Sequence, residues 1–170
     1  MAVEQISKEG SYLSFKIGEE VFAVHVNDVL NILEMTKITS IPKAPKYLKG
    51  VINLRGLVLP VVDSRLKFNM EEKEYTTNTC IIVMDLETNN ELVHVGFIVD
   101  QVLEVLELES NQIEAAPSLG TSYKAEFITG MAKVGDEFVM LLNMEKIFSL
   151  KELNLLKAEN AETTVEEEKK

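Results

Sequence analysis

GVINLRGLVLPVVD, Gly50 to Asp63, is aliphatic almost throughout and carries one basic side chain, Arg55. A desolvated guanidinium without partners is costly, so one continuous buried strand is a poor reading of these residues. A turn resolves the conflict. Gly50–Leu54 and Leu57–Asp63 are expected to be two strands, with the turn at Asn53–Gly56 and Arg55 carried at their junction. Pro60 cannot donate to a sheet ladder, which puts its strand at an edge or beside a bulge.

Upstream, Leu13, Phe15 and Ile17 alternate with Ser14 and Lys16, the pattern of a half-buried strand over Tyr12–Ile17. Gly18-Glu19 turns it into a second strand, Val21–His25. In VNDVLNILE, Val26, Val29, Leu30 and Leu33 fall at i, i+3, i+4 and i+7, which predicts a short helix capped by Asn27 or Asp28. KITSIPKAPKYLKG holds two prolines and reads as extended and irregular. Downstream, Met70–Thr79 is a polar loop. Cys80–Asp85 and Leu92–Val99 are strands around a turn at Asn89-Asn90. DQVLEVLEL is expected to form a second short helix or helical turn, and Asn111–Lys124 an irregular stretch. Ile128–Val134 and Phe138–Asn143 are strands, followed by a helix from Met144 and a polar tail, AENAETTVEEEKK, too poor in apolar residues to fold.

The two halves echo one another. YLKG (47–50) lines up with FITG (127–130), LPVVD (59–63) with VMLLN (139–143), and Phe68 with Phe148, all 80 residues apart. VHVNDVLNIL (24–33) lines up with FIVDQVLEVL (97–106) at an offset of 73. The blocks occur in the same order, which indicates two similar β subdomains. Short strands with frequent turns favour small barrels or a sandwich.

The bulk properties narrow the function. The chain has 170 residues, 46% of them hydrophobic, enough for one domain with a core or two small subdomains sharing one. Asp and Glu number 28 against 17 Lys and Arg, a formal charge of −11. That balance opposes binding to nucleic acid or anionic membrane, which needs Lys and Arg on phosphates. The lone cysteine, Cys80 in CIIVM, reads as a small buried hydrophobe and indicates no disulfide framework. No apolar run approaches the ~20 residues of a membrane helix, and MAVEQISKEG lacks a secretory pattern. The expected location is the cytoplasm.

Convergent chemistry is missing from the pattern. His25 and His94 both sit in strands among valines. One cysteine and two histidines do not make a zinc cluster. Neither a glycine-rich phosphate loop nor a G-x-S-x-G elbow is present. Asp63 and Asp100 could form an acid/base pair, but capping the turn that follows each explains them better. No catalytic, metal or cofactor site is expected. What remains is surface. Val29, Ile32 and Leu33, with their echoes Val102, Val105 and Leu106, are either core or the border of an apolar groove for a partner helix. Arg55 could orient a partner's carboxylate, or pair internally with Glu34 or Asp28.

With KGVINLRG, LPVVD and LKF, the block GFIVDQVLEVLEL (96–108), and FITGMAKVGDEFVMLLNMEKIF (127–148), the chain resembles the CheW family of bacterial chemotaxis coupling proteins over about residues 12–150. The resemblance implies a mainly β fold: two five-stranded SH3-like barrels around a shared hydrophobic core, with short helices and a C-terminal helix. It implies three regions: a flexible lead over 1–11, the CheW-like domain over 12–150, and a helix end with an acidic tail over 151–170. A chain without room for kinase or receiver modules resembles the stand-alone coupler. The implied function is a non-catalytic adaptor between the cytoplasmic tip of methyl-accepting chemoreceptors and the regulatory domain of the histidine kinase CheA, recruited to membrane receptor arrays without binding the membrane directly. Family receptor-binding positions map onto Val29, Ile32, Gly50, Arg55, Gly56, Val102 and Val105. Two departures stand out. Asn31 replaces a frequent glutamate, which frees Arg55 from an internal salt bridge. Ser64 stands where the family reads leucine, which predicts a less buried site. The competing reading, from another functional class, is a small-ligand sensor.

Overall fold

The computed structural model describes residues 9–88, 91–115, 127–148 and 152. Its elements run β1 (Gly10–Ile17), β2 (Glu20–His25), β3 (Val29–Glu34), β4 (Leu48–Leu54), β5 (Leu57–Asp63), α1 (Ser64–Lys67), β6 (Cys80–Thr88), β7 (Glu91–Val99), β8 (Gln101–Leu108), β9 (Ile113–Glu114), β10 (Ile128–Val134), β11 (Glu137–Leu142) and α2 (Met144–Ile147). They form two sheets, ordered β8-β1-β2-β11-β10-β9 and β3-β6-β7-β5-β4. The opening hairpin forms as expected, with Leu54 opposite Leu57 across the turn.

Two predicted helices are strands instead. VNDVLNILE becomes a 3-10 turn at Val26–Asp28 followed by β3, and DQVLEVLEL becomes β8. The cause is a β-bulge in each. Val29 faces Met84 and Ile32 faces Ile82, so three steps along β3 match two along β6. Likewise Val102 faces Phe15 and Val105 faces Leu13. An extra residue in a strand brings positions i and i+3 to one face, which imitates helical periodicity. The bulged backbone is satisfied by neighbouring side chains. Ser14 Oγ donates to the Glu104 carbonyl at 2.7 Å and accepts its N–H at 3.1 Å. Asn31 Oδ1 accepts the Ile32 N–H at 2.8 Å.

Each sheet turns back on itself. Beyond β3 the chain reaches β4, where Thr39 and Val51 exchange backbone hydrogen bonds of 2.9 and 2.8 Å. Beyond β8, β9 pairs with β10 at Ile113–Ala132. The second contact is long enough to count as a strand, so that sheet has six strands where five were expected. Inside one sheet lie Ile52, Leu59, Val61, Ile81, Val83 and Ile98. Inside the other lie Tyr12, Ala23, Leu108, Ile113, Ala132, Val139 and Leu141. Between them is a larger shared core, including Phe15, Phe22, Val62, Met84, Phe97 and Phe148. Each sheet thus buries residues on both faces, an arrangement consistent with small barrels.

The internal repeat is visible in the elements. β4, β5 and α1 recur as β10, β11 and α2 with every boundary shifted by 80 except the end of β11, which falls one residue short. Asp63 Oδ1 caps α1 and Asn143 Oδ1 caps α2. The repeats lock through aromatic rings: Phe68 stacks on Phe127 at 5.2 Å, and Phe148 packs on Tyr47 at 6.4 Å.

Several details differ from the sequence reading. Pro60 lies in an interior strand, but the β5–β7 ladder begins at Val61, just beyond it. β1 begins at Gly10, within the lead read as loose. Cys80 is half-buried, its thiol directed to the Asn78 carbonyl at 3.3 Å. Ser64 is 1% exposed, against the expectation of a less buried site, because α1 turns it inward. The Asn89-Asn90 turn, most of the lead, much of the irregular 111–124 stretch and nearly all of the 151–170 tail lie outside the described residues.

Candidate functional site

The bulges decide the surface. Val29 and Val102 are half-buried and pack against the shared core from the outer strands of different sheets. One bulge further along, on the same face of each strand, Ile32 is 43% and Val105 54% exposed. The structure thus presents two equivalent apolar edges, each half anchored and half open, at the margin of one core. Leu30 and Leu103, also at equivalent positions, are 51% and 40% exposed. Sequence reasoning assigned Leu30 to a helix face and overlooked Leu103, because the signal for both is the bulge.

Arg55 and Gly56 occupy the tip of the β4–β5 hairpin, both with left-handed backbone, φ 54° and 85°. Two positive-φ residues are what a tight hairpin turn requires, and glycine or asparagine is the usual choice at the first. Gly135 fills that place in the repeat-equivalent hairpin, with φ 63°. Asn53 Oδ1 accepts the Gly56 N–H at 2.8 Å and secures the turn. Among the described residues Arg55 forms no salt bridge, so neither Glu34 nor Asp28 is its partner. An exposed arginine therefore sits on a backbone that disfavours it, a pattern associated with functional sites. Gly50 is different. It is buried in β4 with φ 148°, and a Cβ there would lie 2.0 Å from the Thr39 carbonyl oxygen.

The titratable groups are structural. Asp100 accepts from Arg65 Nη2 at 2.5 Å, Arg65 Nε at 3.0 Å and the Gly18 N–H at 2.7 Å, which ties the β1–β2 turn and α1 to the start of β8. This is a bidentate ion pair, not the turn cap expected of Asp100. Burial pushes its carboxyl up, but the bonds from Arg65 and Gly18 outweigh burial and hold it below the ordinary value. A depressed carboxyl stabilises the fold above its unfolded pKa, and that contribution is lost as pH falls through the folded value. Asp28 acts in the opposite sense, since burial raises it and its protonation favours the folded state. Asp100→Asn is expected to flatten the acid limb of a plot of urea midpoint against pH, and to cost about 1–3 kcal/mol at neutral pH. An unchanged acid limb would remove the pair from this role. Asp63 caps α1 and accepts from Tyr75 Oη at 2.9 Å. His25 Nδ1 accepts the Asn27 N–H, and His94 Nδ1 pairs with Asp85 across β6–β7.

A CheW-like domain model matches residues 11–152, nearly the whole described fold. The chain belongs to the CheW-like family. It is 33% identical to the chemotaxis protein CheW of Klebsiella aerogenes, over 92% of this chain and 90% of that one. It is 32% identical to the chemotaxis protein CheW of Thermotoga maritima, over 82% and 88%. The crystal structure of the scaffolding protein TtCheW from Thermoanaerobacter tengcongensis superposes with a TM-score of 0.74 at 28% identity, covering 84% of this chain and 94% of that one. The mainly β, two-sheet CheW-like architecture is therefore shared along almost its full length. Among the described residues, no helix is long and apolar enough to cross a membrane.

Proposed function

We propose that this chain is a non-catalytic chemotaxis scaffold that couples the cytoplasmic tip of methyl-accepting chemoreceptors to the regulatory domain of the kinase CheA, and is recruited through them to membrane arrays. One observation carries the reading: two equivalent bulged edge strands hold half-exposed aliphatic residues at the margin of a shared core, while an exposed arginine with no salt bridge among the described residues stands on a strained turn. That combination suits a helical partner with apolar anchors and a carboxylate. The receptor-facing set is Val29, Ile32, Gly50, Arg55, Gly56, Val102 and Val105. Within it Ile32, Val105 and Arg55 make contact, Val29 and Val102 form the floor, Gly56 permits the turn, and Gly50 acts indirectly by seating Thr39. The relatives' names support a chemotaxis role, and the two partners are those the family resemblance implies.

The test is calorimetric titration of the protein with a CheA regulatory domain and, separately, with a receptor-tip fragment. Val105→Glu is the informative variant, because Val105 is exposed whereas Val102 packs on the core. Wild type is expected to bind both partners, and Val105→Glu to lose the receptor isotherm alone. Binding to neither partner would overturn the reading.

Arg55→Ala separates docking from folding. It is expected to leave the unfolding midpoint nearly unchanged and to weaken receptor binding by ~1–3 kcal/mol. Arg55→Gly is expected to raise stability by up to about 1 kcal/mol, by releasing the left-handed strain, while losing the same affinity. A large loss of stability with docking intact would assign Arg55 to the fold.

A further inference from the structure

An open polar cavity of about 470 Å³ lies where the β1–β2 turn, α1, the 73–79 loop and the start of β8 meet. Its charged lining is Lys16, Glu19, Arg65, Lys73, Glu74 and Asp100. Arg65 and Asp100 neutralise one another at its wall. Lys73 adds to the positive field on Asp100 without an ion pair of its own. Among the described residues none of Lys16, Glu19, Lys73 or Glu74 has an ion-pair partner. Three of the protein's cations thus converge on one concavity in a chain where acids outnumber bases 28 to 17. Two ammonium groups and two carboxylates without ion pairs among the described residues line one cavity of ligand size, a complement for a molecule bearing both charges.

We propose that this cavity binds a small zwitterion of the α-amino-acid class, with its carboxylate on Lys16 and Lys73 and its ammonium group on Glu19 and Glu74. The inference does not depend on the adaptor reading. It places the ligand beside the receptor-facing strand, since Lys16 pairs with Gln101 at the start of β8 and Phe15 with Val102 further along.

The experiment is an amide NMR titration of the full chain with L-glutamate, L-glutamine and L-lysine, using inorganic phosphate and ethylammonium as single-charge controls. At least one amino acid is expected to give saturable shifts at Lys16, Gly18 and Gln101, with neither control reproducing them. Lys73→Ala and Glu74→Ala alter exposed loop residues and should leave the unfolding midpoint in place, while each weakens that binding by about tenfold, the scale of one charged hydrogen bond. No saturable shift with any of the three amino acids would overturn the proposal. So would shifts that phosphate alone reproduces, which would mean a plain anion site, or shifts that survive both substitutions.

Discussion

A fragment of residues 1–75 is expected to show no cooperative unfolding transition and no dispersed amide spectrum, and mixing it with residues 76–170 to restore both. The reason is topological. The four ladders β1–β8, β2–β11, β3–β6 and β5–β7 each join a strand of the first half to a strand of the second. What the first half keeps is the β1–β2 hairpin, the β4–β5 hairpin and the Thr39–Val51 bridge. Isolated two-stranded hairpins are marginal in water at best. The halves of the sequence repeat are therefore not the units of the fold. The sheet β3-β6-β7-β5-β4 is contiguous, Val29 to Val99, and is inserted into a sheet made from Gly10–His25 and Gln101–Leu142. A fragment spanning 26–100 keeps every ladder of its sheet and is expected to retain strand signal, although its shared-core face, with Val62, Ile82, Met84 and Phe97, is then exposed. Cooperative folding of 1–75 alone would refute the interdependence of the halves.

Gly50→Ala is expected to cost at least about 3 kcal/mol in urea denaturation, at the upper end of single substitutions. The added carbon would lie 2.0 Å from the Thr39 carbonyl oxygen and 2.6 Å from its carbon. Both are backbone atoms of a segment pinned by two hydrogen bonds to Val51, so the clash cannot be relieved by a rotamer change. The positive φ of 148° adds strain for any residue with a Cβ. Gly56→Ala is the control. Nothing lies within 4 Å of a Cβ there, so only the left-handed backbone penalty of about 1–2 kcal/mol applies. Equal costs at the two positions would show that the Thr39 closure contributes nothing beyond backbone strain. A receptor-binding defect in Gly50→Ala should scale with its loss of folded protein, unlike that of Arg55→Ala.

Much of this protein was legible in one dimension. The Arg55 turn, the flanking strands, the β1–β2 hairpin and the repeat at an offset of 80 follow from rules that act over a few residues: alternation, turn chemistry and the cost of burying a guanidinium. The motifs around Lys49–Asp63, 96–108 and 127–148 were enough to name the family. The two bulged strands were not legible, because Val29/Ile32 and Val102/Val105 share a face through an inserted residue, with backbone near each bulge satisfied by a side chain, Ser14 for β8 and Asn31 for β3. Periodicity alone cannot separate that spacing from a helix. The role of Asp100 was equally hidden, since its partners Arg65 and Gly18 are 35 and 82 residues away. Local sequence determined the hairpins, the turn and the repeat, because their energetics are set by neighbours in the chain. Only the tertiary structure decided that the repeats exchange strands, that Gly50 makes room for Thr39, and which aliphatic residues of the two outer strands are left open, because each depends on which distant backbone comes to lie alongside.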